Sequence, residues 1–385
     1  MPSQGSYNDA LLRVIDEVVA PGAASVDASG EFPRKQVDAL GAAGLLALTV
    51  PAAYGGGGAG LREAAGVARA LGAACSSTAM IVTMHYAATA ALTAAGHKDA
   101  LTAIATGSHL TTLAFSKAGS RSHFWVPMST AVPDDDGPAD DGPAVRLDAA
   151  KSWVTSAGQA DSYVWSSRPV AADGLMTLWL VPAGADGLAV SGPFDGLGLR
   201  GNSSAPVSAA GVRVPRTEML GADGAGLDLA LAAVLPYFLI CSAAMSAGLM
   251  GRLATETAAH LQRTRYAHLD QTLAQQAPPR AQLARLRIAA DQAWAHVSAA
   301  LDAVEEGRED AQLLVLEVKA AAGEAAAEAA DLALRAGGGS AYRKESPVER
   351  LFRDSRAARV MSPTTEHLQD FIGRALLGLP LLGEV

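Results

Sequence analysis

Val145–Ser167 reads VRLDAAKSWVTSAGQADSYVWSS: two runs rich in Val, Trp, Tyr and Thr on either side of a Ser/Gly/Asp turn. β-branched and aromatic residues bounded by turn formers favour strands over helix. The same texture continues in LTTLAF (110–115), MTLWLVP (176–182) and VRVP (212–215), separated by Gly, Pro and Asp. Residues 110–216 are therefore expected to form an antiparallel barrel or sandwich. On both sides the texture is helical. DALGAAGLLAL (38–48), EAAGVARALGAAC (63–75) and TAMIVTMHYAATAALTAAG (78–96) place apolar residues at i, i+3 and i+4. FPRK and TVPAAYGGGGAG interrupt them, because Pro and a run of Gly cannot continue a helix. After Gly221 the helical period returns and persists. AAGEAAAEAADLALRA (321–336) has high helix propensity and runs into Gly337-Gly338-Gly339, a stop signal. The expected architecture is α+β: a helical domain over 1–109, a β-barrel over 110–216 and a helical bundle over 217–385.

The 385 residues suit two to three domains, and half of them are apolar with only 18% charged. That supports a large core and excludes a disordered chain. Aromatics are 5%, so Ala, Leu and Val must build the core through close helix packing. A net charge of −9 leaves no basic face for nucleic acid or for an anionic membrane surface. Leu227–Met250 is long and apolar, but Asp228 and Pro236 interrupt it, and it reads as a core helix rather than a membrane span. Cys75 and Cys241 read as small buried hydrophobes in a reducing compartment. The first residues lack a basic segment followed by an apolar one, so no signal peptide is expected and the chain reads as cytoplasmic. The acidic tract PDDDGPADDGPA (133–144) reads as a solvated loop or hairpin insert.

Motifs that carry chemistry on their own are absent. No GxGxxG opens a helix after a strand, and there is no Walker A loop, HExxH or GxSxG. The eight histidines do not group with Cys or carboxylates at metal spacing, so no metal is expected.

Five blocks in order nonetheless resemble the acyl-CoA dehydrogenase family of flavoproteins. FPRKQVDALGAAGLLALTVPAAYGGGG (32–58) is similar to the family's FP…GL…VP…YGG segment, and AFSKAGSRS (114–122) stands where the family has a TEPGAGSD-type loop. KSWVTSAGQADSYVWSSR (151–168) resembles its K-x-W-I-T-N-A-G-x-A-D strand pair, and GLRGNSSAPVSAAGVRVP (198–215) its G-x-R-G-S…VP segment. Residues 336–378, from AGGGSAYRKESPVER to GRALLG, resemble the C-terminal signature. The resemblance implies an N-terminal all-α domain, a middle β-barrel and a C-terminal four-helix bundle. It also implies FAD bound between domains and across a subunit interface of a homodimer or homotetramer.

Carried over residue by residue, the resemblance implies that Phe115 and Ser116 face the flavin ring and that Ser122 meets the FAD pyrophosphate. Trp153 would pack beside the isoalloxazine, and Thr155 would bond near N5, where reduction adds a proton. Gly338 and Gly339, preceded by Arg335 where the family has glutamine, would pack on the neighbouring subunit's adenosine; Thr364 and Glu366 would touch the adenine half.

The departures concern the base. The family's catalytic glutamate position is Ser362 here, and the alternative position after Gly226–Leu229 is Ala230. Neither side chain can take an α-proton. His85 is the expected replacement base, with His123 and His367 as further candidates. Glu349, Arg350, Arg353 and Asp354 are expected to form a structural ion-pair network. The blurred RTRYAHLDQ segment leaves Arg263 or Arg265 for a phosphate contact.

The leading functional expectation is oxidation of an acyl thioester on CoA or an acyl-carrier protein, with an electron-transfer flavoprotein or oxygen as acceptor and a displaced base. The alternatives are a flavin-dependent monooxygenase on the same fold and a non-catalytic subunit of a hetero-oligomer.

Overall fold

A computed structural model describes residues 4–117, 119, 123–134 and 142–382. Six helices come first: α1 (Gln4–Val14), α2 (Ala20–Ser29), α3 (Arg34–Ala42), α4 (Leu61–Ala74), α5 (Ser76–Ala95) and α6 (Lys98–Ala105). Eight strands follow: β1 (Thr111–Ala114), β2 (Thr130–Pro133), β3 (Ala144–Val154), β4 (Ser162–Ser167), β5 (Thr177–Pro182), β6 (Leu188–Val190), β7 (Ala205–Pro215) and β8 (Met219–Leu220). The chain then returns to helix with α7 (Gly226–Leu229), α8 (Leu235–Arg263), α9 (Ala277–Glu306), α10 (Ala311–Ala341), α11 (Pro347–Ser355), α12 (Ala357–Val360) and α13 (Thr365–Leu376).

Among the described residues these eight strands make two four-stranded sheets, ordered β1-β4-β5-β8 and β2-β3-β7-β6, and a separate antiparallel pair joins Arg265–Tyr266 to Gln271–Thr272. One expectation is corrected here: β1 pairs with β4 in parallel, Thr111 opposite Ser162, so the strand region is not wholly antiparallel. A β-bridge between Lys117 and Lys151 joins the sheets. Lys151 joins them again through its side chain. Its buried Nζ donates to the Ser166 carbonyl at 2.7 Å and to Ser166 Oγ at 2.9 Å, over the Trp165 ring. Residues 135–141 of the acidic tract lie outside the described residues; at its edge Pro133 of β2 pairs with Val145 of β3.

Small residues let the helices approach. A Cβ on Gly72 would come within 2.4 Å of the Met245 carbonyl, and one on Gly248 within 2.0 Å of the Arg69 carbonyl. Thus α4 and α8 pack backbone to backbone. The Gly run breaks α10 at Gly338, whose φ of 55° and ψ of −146° leave the helical region. The apolar stretch that raised the membrane question runs from α7 into α8 and is mostly buried against other helices. Cys75 and Cys241 are buried free thiols.

At one junction all three parts meet. The Arg353 guanidinium of α11 donates to Asp27 of α2 at 2.6 and 2.8 Å and to Glu349 at 2.6 and 2.8 Å. Asp354 is buried beside it and accepts the Leu199 N–H at 2.7 Å from the β6–β7 connection. Of the network expected in α11, the Arg353–Glu349 pair is made; Arg353 reaches on to Asp27, and Asp354 is held by the Leu199 N–H.

Candidate active site

A second place where the three parts meet is an open cleft of about 540 Å³. Its sheet wall carries Phe115 and Ser116, which follow β1, with Phe124 and Trp153. Trp153 lies where the β3–β7 register slips between Lys151 and Val154. Such a bulge re-aims a side chain. Here the tryptophan backbone is left-handed (φ 56°) and its side chain is 69% exposed, a conformation and an exposure unusual for so large an apolar residue.

The helical wall carries Ala230, Val234, Leu235 and Phe238. Ala230 begins a π-helical turn, Ala230–Val234, inserted between α7 and α8. π-turns of this kind recur at functional sites. Met84 of α5 closes the floor, and Ser362 and Pro363, between α12 and α13, complete the wall. Both positions that the sequence reading marks as emptied of a base, Ala230 and Ser362, thus line one cleft with Phe115, Ser116 and Trp153. None of the twelve described lining residues carries a carboxylate, imidazole, amine, thiol or phenol.

His85 must be corrected. It is buried in α5, where its Nε2 lies 2.9 Å from the Leu46 carbonyl and its Nδ1 accepts the Thr111 N–H at 3.2 Å. A carbonyl can only accept and an amide can only donate, so the ring is fixed as the neutral Nε2–H tautomer. Burial, the dominant cause, lowers its pKa to about 4. No nitrogen is left for a substrate proton. Tyr86 beside it donates to the Leu45 carbonyl at 2.6 Å, so the pair ties α5 to the loop after α3.

Other expected residues are dispersed. Thr155 is buried behind the cleft, its Oγ1 3.2 Å from Ser204 Oγ. Ser122 lies outside the described residues. Arg335, Gly338, Gly339 and Glu366 are exposed on the helical bundle. Thr364 caps α13, accepting the His367 N–H, and its Oγ1 is 3.0 Å from His367 Nδ1. The His367 ring in turn packs edge-on against His123, 5.1 Å between centroids, and both contact Trp125. Arg265 pairs with exposed Asp270. Among the described residues no group of His, Cys, Asp and Glu is placed to hold a metal.

The sequence reading did not single out Lys319. It lies on the buried stripe of α10 with Val315, Ala322 and Ala326, and a lone lysine on such a stripe was the available signal.

The donor set suits a large, planar, mostly apolar group with a polar edge. Phe115 and exposed Trp153 offer aromatic surface, and Ser116 offers a hydroxyl at an otherwise apolar wall. The open surface around Gly338 and Gly339, where an added Cβ would meet nothing within 4 Å, leaves room for a second surface to lie against the backbone.

Comparison with known proteins identifies the family. The profile for acyl-CoA dehydrogenase, N-terminal domain, matches residues 2–107, and that for acyl-CoA dehydrogenase, C-terminal domain, matches residues 224–377. The chain is 28% identical over 371 residues to the probable acyl-CoA dehydrogenase YngJ of Bacillus subtilis, covering 93% of this chain and 94% of that one. Butyryl-CoA dehydrogenase from Megasphaera elsdenii superposes with a TM-score of 0.88 at 20% identity, covering 97% of this chain and 98% of that one. The FAD complex of PigA superposes with a TM-score of 0.86 at 20% identity, covering 97% of each chain. With the helical, sheet and helical parts in the same order, the chain belongs to the acyl-CoA dehydrogenase family of flavin oxidoreductases that act on CH–CH donors.

Proposed function

We propose that the chain binds FAD against Phe115, Ser116 and Trp153 and oxidises an acyl thioester in this cleft without a carboxylate base at either familiar position. The observation that carries this is the composition of one cleft: aromatic and hydroxyl groups on the sheet wall, Ala230 and Ser362 on the helical wall. Bound there, FAD would supply a two-electron acceptor. Ser116 would donate its O–H to the cofactor's polar edge, while Phe124, Met84 and Phe238 exclude water. The Ser362 hydroxyl can orient a carbonyl, but it has too little proton affinity to take an α-proton unaided. The thioester is therefore one whose α-carbon is already acidified, or one whose proton leaves to a group outside the twelve lining residues. Arg335, Gly338, Gly339, Thr364 and Glu366, exposed on one chain, would meet the adenosine half of FAD from a neighbouring copy.

A second reading, flavin-dependent oxygenation, is favoured by the same lack of ionisable side chains among the described lining residues, because that chemistry asks for no α-proton abstraction. The test is the absorbance of the purified protein, followed anaerobically with acyl-CoA and acyl-carrier-protein panels. A flavin spectrum bleached by a thioester supports the first reading. A flavin that no thioester reduces, but that turns over with oxygen and a separate reductase, supports the second. A colourless protein that takes up no added FAD overturns both.

A further inference from the structure

Lys319 is 1% exposed, yet it carries an ammonium in the middle of the helical bundle. Lysine is almost never so buried unless it is partnered. Here Nζ donates to three backbone carbonyls, those of Ala358 at 3.1 Å, Met361 at 3.0 Å and Pro363 at 2.8 Å. The Phe238 ring centroid lies 5.8 Å away. An ammonium has three protons, and all three are used. The three carbonyls belong to α12 and to the link between α12 and α13, a stretch too short to satisfy itself by helical bonding. Ser362 and Pro363 of that link, and Phe238, all line the cleft.

We propose that Lys319 is a positioning residue that fixes the Ser362–Pro363 wall of the cleft by holding three carbonyls of its backbone from behind. The inference rests on the reading of this cleft as the substrate site. Burial, the larger cause, lowers the lysine's pKa to about 7, against an upward pull from Glu366, so the three carbonyl bonds are what favour the ammonium there. An apolar side chain of the same length would fill the space and leave three carbonyls without donors. The wall would then move, and a substrate would meet a different surface.

Lys319→Met keeps the length and removes the donors. Two measurements read the result: amide hydrogen exchange over residues 357–368 of the protein as purified, and KM against kcat for a thioester that the wild type accepts. Loss of even one such bond predicts about tenfold faster exchange in that segment and about tenfold higher KM, with kcat changed much less. Leu286→Ala, in the core of α9, serves as a control for lost stability alone and should do neither. Lys319→Gln retains two donors, should fall between, and carries the test if the Met variant does not accumulate. Unchanged exchange and KM in the Lys319 variants would overturn the proposal, as would the same changes in Leu286→Ala at matched melting temperature. If the wild type binds no flavin and oxidises no thioester, the site reading fails while the exchange measurement still decides whether the clamp exists.

Discussion

The cleft and the Arg353 junction both lie where the three parts of the chain meet, and they are opposites in charge. At the junction Asp27, Glu349, Arg353 and Asp354 are packed together, with guanidinium–carboxylate distances of 2.6–2.8 Å. In the cleft none of the described lining residues is ionisable. At the junction carboxylates hold the three parts in register, whereas none is among the described residues that line the cleft. The chemistry of the cleft has to be done with hydroxyls, aromatic faces and whatever binds there.

Putting a carboxylate into the cleft should blur that contrast most. Ser362→Glu is expected to speed anaerobic flavin reduction by a saturated acyl-CoA by about 10²-fold, the lower end of what a positioned base supplies. Stopped-flow absorbance of the variant beside the wild type checks this. A carboxylate at Ala230 offers the same test from the opposite wall.

Two changes ask whether the buried ionisable groups outside the cleft are structural. His85→Ala removes a ring whose two nitrogens satisfy a buried carbonyl and a buried amide. It should cost about 3 kcal/mol of stability, read by denaturant unfolding, while kcat of the folded fraction stays unchanged. Asp354 tests the junction through pH. Burial raises its carboxyl to about 6 from an ordinary 3.8, against the Leu199 N–H bond that lowers it. Between those values the folded state holds a proton that the unfolded state has released, so stability falls as pH rises from about 4 to about 6. Two pKa units correspond to about 3 kcal/mol. Asp354→Asn keeps an acceptor for Leu199 N–H and should flatten that slope in urea titrations across the interval.

Much of the contrast could be read from residue types alone. The change from i, i+3, i+4 periodicity to short β-favouring runs gave the helical, sheet and helical order. The ordered motifs named Phe115, Ser116, Trp153, Ala230 and Ser362, which the fold brings to one cleft. Long-range partners could not be read in this way. The parallel pairing of β1 with β4 depends on a return path that no local pattern encodes. β8, which pairs with β5, lies in a stretch whose texture belongs to the following helices. His85 looked available because its partners, Leu46 and Thr111, lie 39 and 26 residues away. Lys319 passed as an ordinary helix lysine because its three acceptors lie 39, 42 and 44 residues on.

The smallest expected effect is at the sheet wall. Trp153 is exposed, so Trp153→Ala should leave the melting temperature nearly unchanged while weakening FAD by about 1–2 kcal/mol, or roughly tenfold in Kd. Fluorescence titration of the apoprotein with FAD measures it. An unchanged Kd would remove Trp153 from the cofactor wall.

The most direct test of a cleft without a base is the wild-type protein, loaded with FAD and mixed anaerobically with saturated acyl-CoAs of several chain lengths. Slow or absent bleaching of the flavin with every chain length is the predicted result. Rapid bleaching by any simple saturated acyl-CoA would contradict it, and would mean that a base reaches the α-carbon from beyond the residues that line the cleft.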